Sequence, residues 1–123
     1  MKCPKCHSEF EKVPVDGGEV DRCLTCKGLW FDILESEKFI AQAKTFDTGD
    51  SGIGAKYNSN DRINCPVCPS TPMIRMVDAS QPHIWFESCP SCFGRFFDAG
   101  EFRDLASHNL ADVIRDFFAK ERK

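Results

Sequence analysis

A small α+β fold made of two tandem copies of one module is what this sequence predicts, on three observations. All eight cysteines fall into four Cys-x-x-Cys pairs, Cys3/Cys6, Cys23/Cys26, Cys65/Cys68 and Cys89/Cys92, with none left over. The second half repeats the first. A shift of 66 lays Cys23-Leu24-Thr25-Cys26-Lys27-Gly28-Leu29-Trp30-Phe31-Asp32 onto Cys89-Pro90-Ser91-Cys92-Phe93-Gly94-Arg95-Phe96-Phe97-Asp98, and Glu35 onto Glu101. In each copy a strand–turn–strand pattern lies between the cysteine pairs, and a helix start follows the second pair.

The elements follow in chain order. The leading pairs, Cys3-Pro4-Lys5-Cys6 and Cys65-Pro66-Val67-Cys68, align with a shift of 62. Proline after the first cysteine sets φ for a tight turn that aims both sulfurs at one point. Phe10 to Val15 and Glu19 to Arg22 flank Asp16-Gly17-Gly18 and read as a hairpin; Met73 to Val77 and His83 to Glu87 read as its counterpart. Gly28 and Gly94 suit a position of positive φ. Trp30, Phe31, Phe96 and Phe97 read as filler between hairpin and helix, because a module of about 40 residues has little other core. Trp85 and Phe86 adjoin in one strand and so face opposite sides.

Asp32 with Glu35, and Asp98 with Glu101, have the spacing of a capping box, which explains the carboxylates better than acid–base catalysis does. The first helix is expected to run to Ala43, with Ile33, Ile40 and Ala43 near one face. Residues 47–62, with three glycines, read as a flexible linker. From Phe102 to Phe118 apolar residues keep a three-four spacing, which predicts an extended amphipathic helix, either unbroken over 99–120 or interrupted near Asn109, which would cap a separate segment. Its apolar part past Leu110 has no counterpart in the first module. The domain reading is therefore 1–46 for the first module with its helix, 47–62 for the linker, 63–107 for the second module, and 108–123 for the amphipathic C-terminal helix.

The cysteine spacing points to metal. Sixteen residues (7–22) separate the first two pairs and twenty (69–88) the last two, as expected of four-cysteine zinc sites. The expected ligands are Cys3, Cys6, Cys23 and Cys26 for one Zn²⁺, and Cys65, Cys68, Cys89 and Cys92 for a second. Disulfides need an oxidising compartment that nothing here indicates. A thioredoxin-like pair needs a βαβ setting that is absent. Four thiolates close the coordination shell, so His7, His83 and His108 are not required as ligands and no catalytic position is left open. The fold class is thus metal-stabilised.

Cys-Pro-x-Cys, a hairpin, Val20-Asp21-Arg22-Cys23 and Gly28-x-Trp30-x-Asp32-x-x-Glu35 together resemble the TFIIB-type zinc ribbon of small bacterial proteins over residues 3–40. Residues 65–106 resemble it with departures: Phe96 stands for the tryptophan, and Phe86-Glu87-Ser88 for Val-Asp-Arg. The resemblance implies two zinc ribbons, each a β-hairpin with zinc knuckles followed by a helix, and an association with transcription.

Charge narrows the function. The net charge is −3, spread evenly along the chain, and each tetrathiolate zinc site adds a further −2. That balance disfavours a protein whose affinity rests on phosphate neutralisation. No stretch reaches the ~18 apolar residues of a membrane span. Cys3 and Cys6 occupy the place of a signal peptide, so the expected compartment is the cytoplasm. The reading is a non-enzymatic adaptor for a protein partner, linked to transcription, with a homodimer through the C-terminal helix as one use of that helix. The alternatives are a nucleic-acid-binding ribbon using Arg75, Trp85 and Arg95, and a zinc-linked redox sensor.

Overall fold

The computed structural model describes residues 1–33, 35–59, 62–77 and 84–107. Its centre is one six-stranded antiparallel sheet that the two modules share. Strands β1 (Phe10–Val15), β2 (Gly18–Cys23) and β3 (Leu29–Phe31) come from the first module; β4 (Ile74–Val77), β5 (Trp85–Ser88) and β6 (Arg95–Phe97) come from the second. The order is β1-β2-β3-β6-β5-β4. The first hairpin forms as its turn chemistry predicts, with Val15 paired to Gly18 and Gly17 at φ 92°. The turn of the second, 78–83, lies outside the described residues.

β3 and β6 join the modules. Leu29 pairs with Phe97, Trp30 with Phe96 and Phe31 with Arg95. Trp30 therefore faces its own counterpart in the repeat, and a pseudo-twofold axis passes between them. Strand alternation sends Leu29, Phe31 and Phe97 to one face of the sheet and Trp30 and Phe96 to the other. All five are buried.

The first face is roofed by helical segments. Phe31, Phe97 and Phe86 meet Phe46 and Phe102 in a chain of ring contacts, the closest being Phe31–Phe102 at 4.6 Å between centroids. The second face holds Trp30 and Phe96 among the cysteines, Ile63, Met73 and Tyr57. The four repeated aromatics are thus packing residues, though Trp30 and Phe96 pack toward the cysteines and the other module, not under their own helices.

The glycines find a different explanation from the one expected. Positive φ falls one residue earlier, on Lys27 (61°) and Phe93 (62°). Gly28 and Gly94 serve close approach: a Cβ on Gly28 would run into the Phe96 ring, and one on Gly94 into the Trp30 ring. Each module's glycine makes room for the other module's aromatic.

The expected first helix is broken into α1 (Glu35–Lys38), a 3₁₀ turn (Ile40–Gln42) and α2 (Ala43–Phe46). Contacts to the hairpin turn override helix continuity. Gln42 binds both the N–H and the C=O of Asp16, at 2.8 and 2.9 Å, and Lys38 reaches Gly17 O at 2.9 Å. Ile33 is exposed, outside the apolar face assigned to it, whereas Ala43 is buried.

Within 47–62, where the glycines predict a flexible linker, Ser51–Asn58 is a helix, α3. Asp50 caps it by accepting from Gly52 N at 2.7 Å. Gly54 lies against the backbone of Ala99, where a side chain would not fit. Gly49, against Lys27 and Ala99, and Gly54 mark contact between segments.

The final described helix, α4 (101–107), carries Phe102, Leu105 and Ala106 into the core. The amphipathic helix expected beyond it, over 108–123, lies outside the described residues. The two capping boxes have diverged. In the first, Asp32 N donates to Glu35 Oε1 at 3.0 Å, but the Asp32 carboxylate takes the Trp30 indole N–H. In the second, Asp98 is committed elsewhere, and the cap is supplied by Asp47 at the end of α2. Its buried carboxylate accepts from Gly100 N at 2.9 Å and Arg103 N at 2.7 Å. Glu101 accepts instead from the backbone N–H of Trp85, and burial pushes its carboxyl up to about 7.

Gly94→Ala is expected to cost about 1–3 kcal/mol through overpacking against Trp30, read from denaturant unfolding of the zinc-loaded protein. A change within about 0.5 kcal/mol, the range of ordinary surface substitutions, would show that the cross-module ring contact is loose.

Candidate metal centres

Each cysteine pair sits on a knuckle closed by backbone hydrogen bonds. His7 N donates to Cys3 O at 2.9 Å, and Phe93 N to Cys89 O at 2.9 Å. Cys23 N and Cys89 N reach two equivalent acceptors, Gly28 O and Gly94 O, at 2.8 and 2.9 Å. In three knuckles the residue after the second cysteine is left-handed: His7 (φ 65°), Lys27 and Phe93. The fourth has Pro69 there, whose ring forbids positive φ, and Thr71 N instead bonds Cys68 O at 2.9 Å.

The four knuckles gather the cysteines into two clusters. Cys3, Cys6, Cys23 and Cys26 have all sulfurs within 4.8 Å of one another, and so do Cys65, Cys68, Cys89 and Cys92. All eight are free thiols. The Cys3–Cys26 and Cys65–Cys92 sulfurs are 3.7 Å apart, and Cys6–Cys23 are 3.3 Å apart. A tetrahedral zinc with Zn–S of about 2.3 Å sets its ligand sulfurs about 3.8 Å apart, so both donor sets fit the ion. Backbone N–H groups already point at the sulfurs: Cys68 N at Cys65 Sγ (3.2 Å), and Ser91 N at Cys89 Sγ (3.4 Å).

Ionisation within the clusters is uneven. Burial opposes ionisation of Cys6, but hydrogen bonds from Ser8 prevail and hold it down at about 6. At Cys89 burial is likewise outweighed, chiefly by the Cys92 and Ser91 N–H groups, and the thiol is held at about 7. Burial pushes Cys23 up to about 11 and Cys65 up to about 12. Cys26 is raised as well, first by its hydrogen bond with Cys3. A divalent ion entering such a set displaces protons and gains affinity as pH rises.

Both clusters fall inside segments that match a known family. The model of the transcription factor zinc-finger family, the TFIIB-type zinc ribbon, matches residues 2–42 and again 64–108, more than half of the chain. The chain belongs to this zinc-ribbon family. Neither the curated proteins nor the solved structures contain a match. As a tandem zinc ribbon with two four-cysteine clusters, the protein takes two zinc ions. Zinc supplies bonds that hold the knuckles closed and contributes its binding energy to folding. With four thiolates around each ion, no coordination position remains for water or substrate.

Beside the first cluster lies a group of charges that sequence reasoning missed. Lys5, between Cys3 and Cys6, is buried, with its Nζ 2.6 Å from Glu87 Oε1, 3.0 Å from Asp98 Oδ2 and 3.1 Å from Tyr57 O. All three charged side chains are at most 1% exposed. Burial raises both carboxyls, against the attraction of Lys5. The cluster ties the first knuckle to β5, to the end of β6 and to α3. A signal existed: Val67, the repeat counterpart of Lys5, is exposed. Of the three histidines, His7 is exposed, while His83 and His108 lie outside the described residues.

Chelation of the zinc-loaded protein is expected to collapse both hairpins, followed by far-ultraviolet circular dichroism, and elemental analysis to return two zinc per chain. A ratio near one would break the assignment of two clusters. Lys5→Met is expected to destabilise the zinc-loaded protein by about 3–5 kcal/mol, because it strands two buried carboxylates. A loss below about 1 kcal/mol in urea unfolding, the worth of a surface pair, would mean that the ion cluster is incidental.

Proposed function

We propose that this zinc-ribbon protein is a non-enzymatic adaptor. Its two ions, each held by its four cysteines, are structural, and its second hairpin receives a protein partner in transcription. Family membership supports the link to transcription, and the closed coordination shells support a structural role for zinc.

The observation that carries the adaptor reading is the contrast between the two edge strands. β1 contains Pro14, and its side chains are engaged in ion pairs: Lys12 with Asp21 at 3.0 Å and Glu11 with Arg22 at 2.6 Å. Such features discourage further strand pairing. β4 has no proline and, among the described residues, pairs only with β5. Val77 and Trp85, paired across β4 and β5, are each 39% exposed, and the Arg75 guanidinium lies 4.8 Å from the Trp85 ring centre. Of the adjoining Trp85 and Phe86, the tryptophan is the outward one. An extended apolar segment of a partner adds to such an edge through backbone hydrogen bonds and is selected by the exposed side chains.

A second reading, nucleic-acid binding, is favoured by one observation. A cavity of about 340 Å³ between the leading knuckles is lined by Lys2, His7 and Arg62 together with Pro4, Pro66 and Pro69. Against it, Arg95 is turned inward, stacked on Phe86 at 5.2 Å and bonded to Ser36.

The deciding experiment is affinity capture from native lysate with zinc-loaded wild type and Val77→Lys, matched for zinc content and melting temperature. A specific partner retained by wild type and lost by the variant supports the adaptor. Equal capture by both, or none, counts against it. DNA or RNA binding tighter than about 100 μM, the weak end of ordinary non-specific affinity, would favour the second reading.

A further inference from the structure

The cleft of about 340 Å³ between the two leading knuckles has walls that come in equivalent pairs. The shift of 62 carries Lys2 onto Asn64, Pro4 onto Pro66 and His7 onto Pro69, and all six line it. The cleft is therefore a product of the tandem arrangement, and a single ribbon does not contain it.

Its charge is one-sided. No carboxylate lines it. The first module supplies Lys2 and His7 where the second has Asn64 and Pro69, and Arg62 adds a guanidinium from the segment entering the second module. All three basic side chains are exposed, and among the described residues none of them enters an ion pair. Other cations of the first module are committed: Lys5 to Glu87 and Asp98, Lys12 to Asp21, Arg22 and Lys27 to Glu11. Cys65 also borders the cleft, but it is buried and its sulfur belongs to its own cluster.

The backbone beneath these side chains is fixed. Lys2 is bridged to Glu9 and Asn64 to Pro72. Ile63, buried beside Arg62, accepts from Met73 N at 2.9 Å, and His7 N is bonded to Cys3 O. The three prolines add rigid apolar walls with no N–H to donate. An anion entering the cleft is met by the basic side chains, and a setting that is already ordered lowers the cost of binding it.

We propose that this cleft binds a short acidic segment of a protein partner, its Asp or Glu carboxylates held by Arg62, Lys2 and His7 and its chain packed on the prolines. Arg62 offers the planar fork that a carboxylate accepts at both oxygens. Charge complementarity selects a peptide over a nucleic acid. A nucleic-acid strand carries a phosphate at every nucleotide and, on leaving the cleft, meets a protein of net charge −3 whose zinc sets each add −2. A peptide concentrates its carboxylates in the cleft and keeps neutral flanks. The cleft shares no residue with the β4 edge, so it is a second contact point, and either can fail without the other.

The test is a nuclear magnetic resonance titration of the full-length, zinc-loaded chain at low ionic strength, where exposed charges are least screened. The probes are acetylated and amidated hexaglutamate, hexathymidylate and inorganic phosphate. Hexaglutamate is expected to bind saturably with a Kd below about 1 mM and to shift the resonances of Lys2, His7 and Arg62. Arg62→Glu is expected to weaken it about fivefold or more, through loss of a charge pair and added repulsion. Lys44→Glu changes the net charge equally but lies on a different cavity; it and Val77→Lys on the β4 edge are expected to stay within about twofold, as substitutions away from the contact do. Failure of hexaglutamate to saturate, shifts confined to other surfaces, or equal weakening by Arg62→Glu and Lys44→Glu overturns the proposal. Tighter binding of hexathymidylate in the cleft overturns it in favour of nucleic acid. Equal binding of inorganic phosphate overturns it in favour of a bare anion site. The wild-type shift map decides even where a variant fails to fold.

Discussion

The pairing of β3 with β6 is the constraint on which the remaining architecture rests. Each strand has three residues, too few to be stable alone, yet together they close six strands into one sheet. Once Trp30 stands opposite Phe96, two small modules share two cores. The phenylalanine layer draws on both halves on one face, and the cysteine-rich layer does so on the other. A domain of this size buries little apolar surface per residue, and pooling two such cores reduces the surface each module must leave in water. The glycines at 28 and 94 are conditions of this arrangement, since the rings they admit belong to the opposite module.

Around that axis the halves have diverged in chemistry more than in backbone. Lys5 is buried between Glu87 and Asp98, while its counterpart Val67 faces solvent. Asp47 from the first module caps the helix of the second, and its counterpart is a valine. These departures are directional. They fasten residues 47–58 and the first knuckle onto the second module, so the connecting segment becomes part of the packing. Buried ion pairs of this kind add little net stability when compared with apolar packing, but they penalise any arrangement that leaves one partner alone. They therefore define how the halves sit together.

What could be read in the sequence follows from the range of each interaction. The cysteine sets, the Asp16-Gly17 turn and the link between Asp32 and Glu35 depend on neighbours within a few residues or on a repeated motif, and each was legible. β3 and β6 were not, because a run of three residues between a glycine and an aspartate has no period to detect. Ser51–Asn58 was hidden by its own glycines, which lower helix propensity but are required where Gly54 meets Ala99. Lys5 and Asp47 were silent for a third reason: their partners lie more than fifty residues away. The repeat did hold a trace of both, in the positions where the two copies disagree.

The exchange of glycine and ring across the axis also bears on how the two ions are bound. Gly28 directly follows the first zinc set's last knuckle and admits Phe96, which packs among cysteines of both sets; Gly94 and Trp30 do the same in reverse. Ordering either knuckle thus prepares a wall of the other site. In the language of linkage, a wall shared in this way is a route for coupling, and any effect of one ion on the affinity for the other is returned by the same factor. The two ions are then bound as one unit of stoichiometry two, each site completed by packing from the other module.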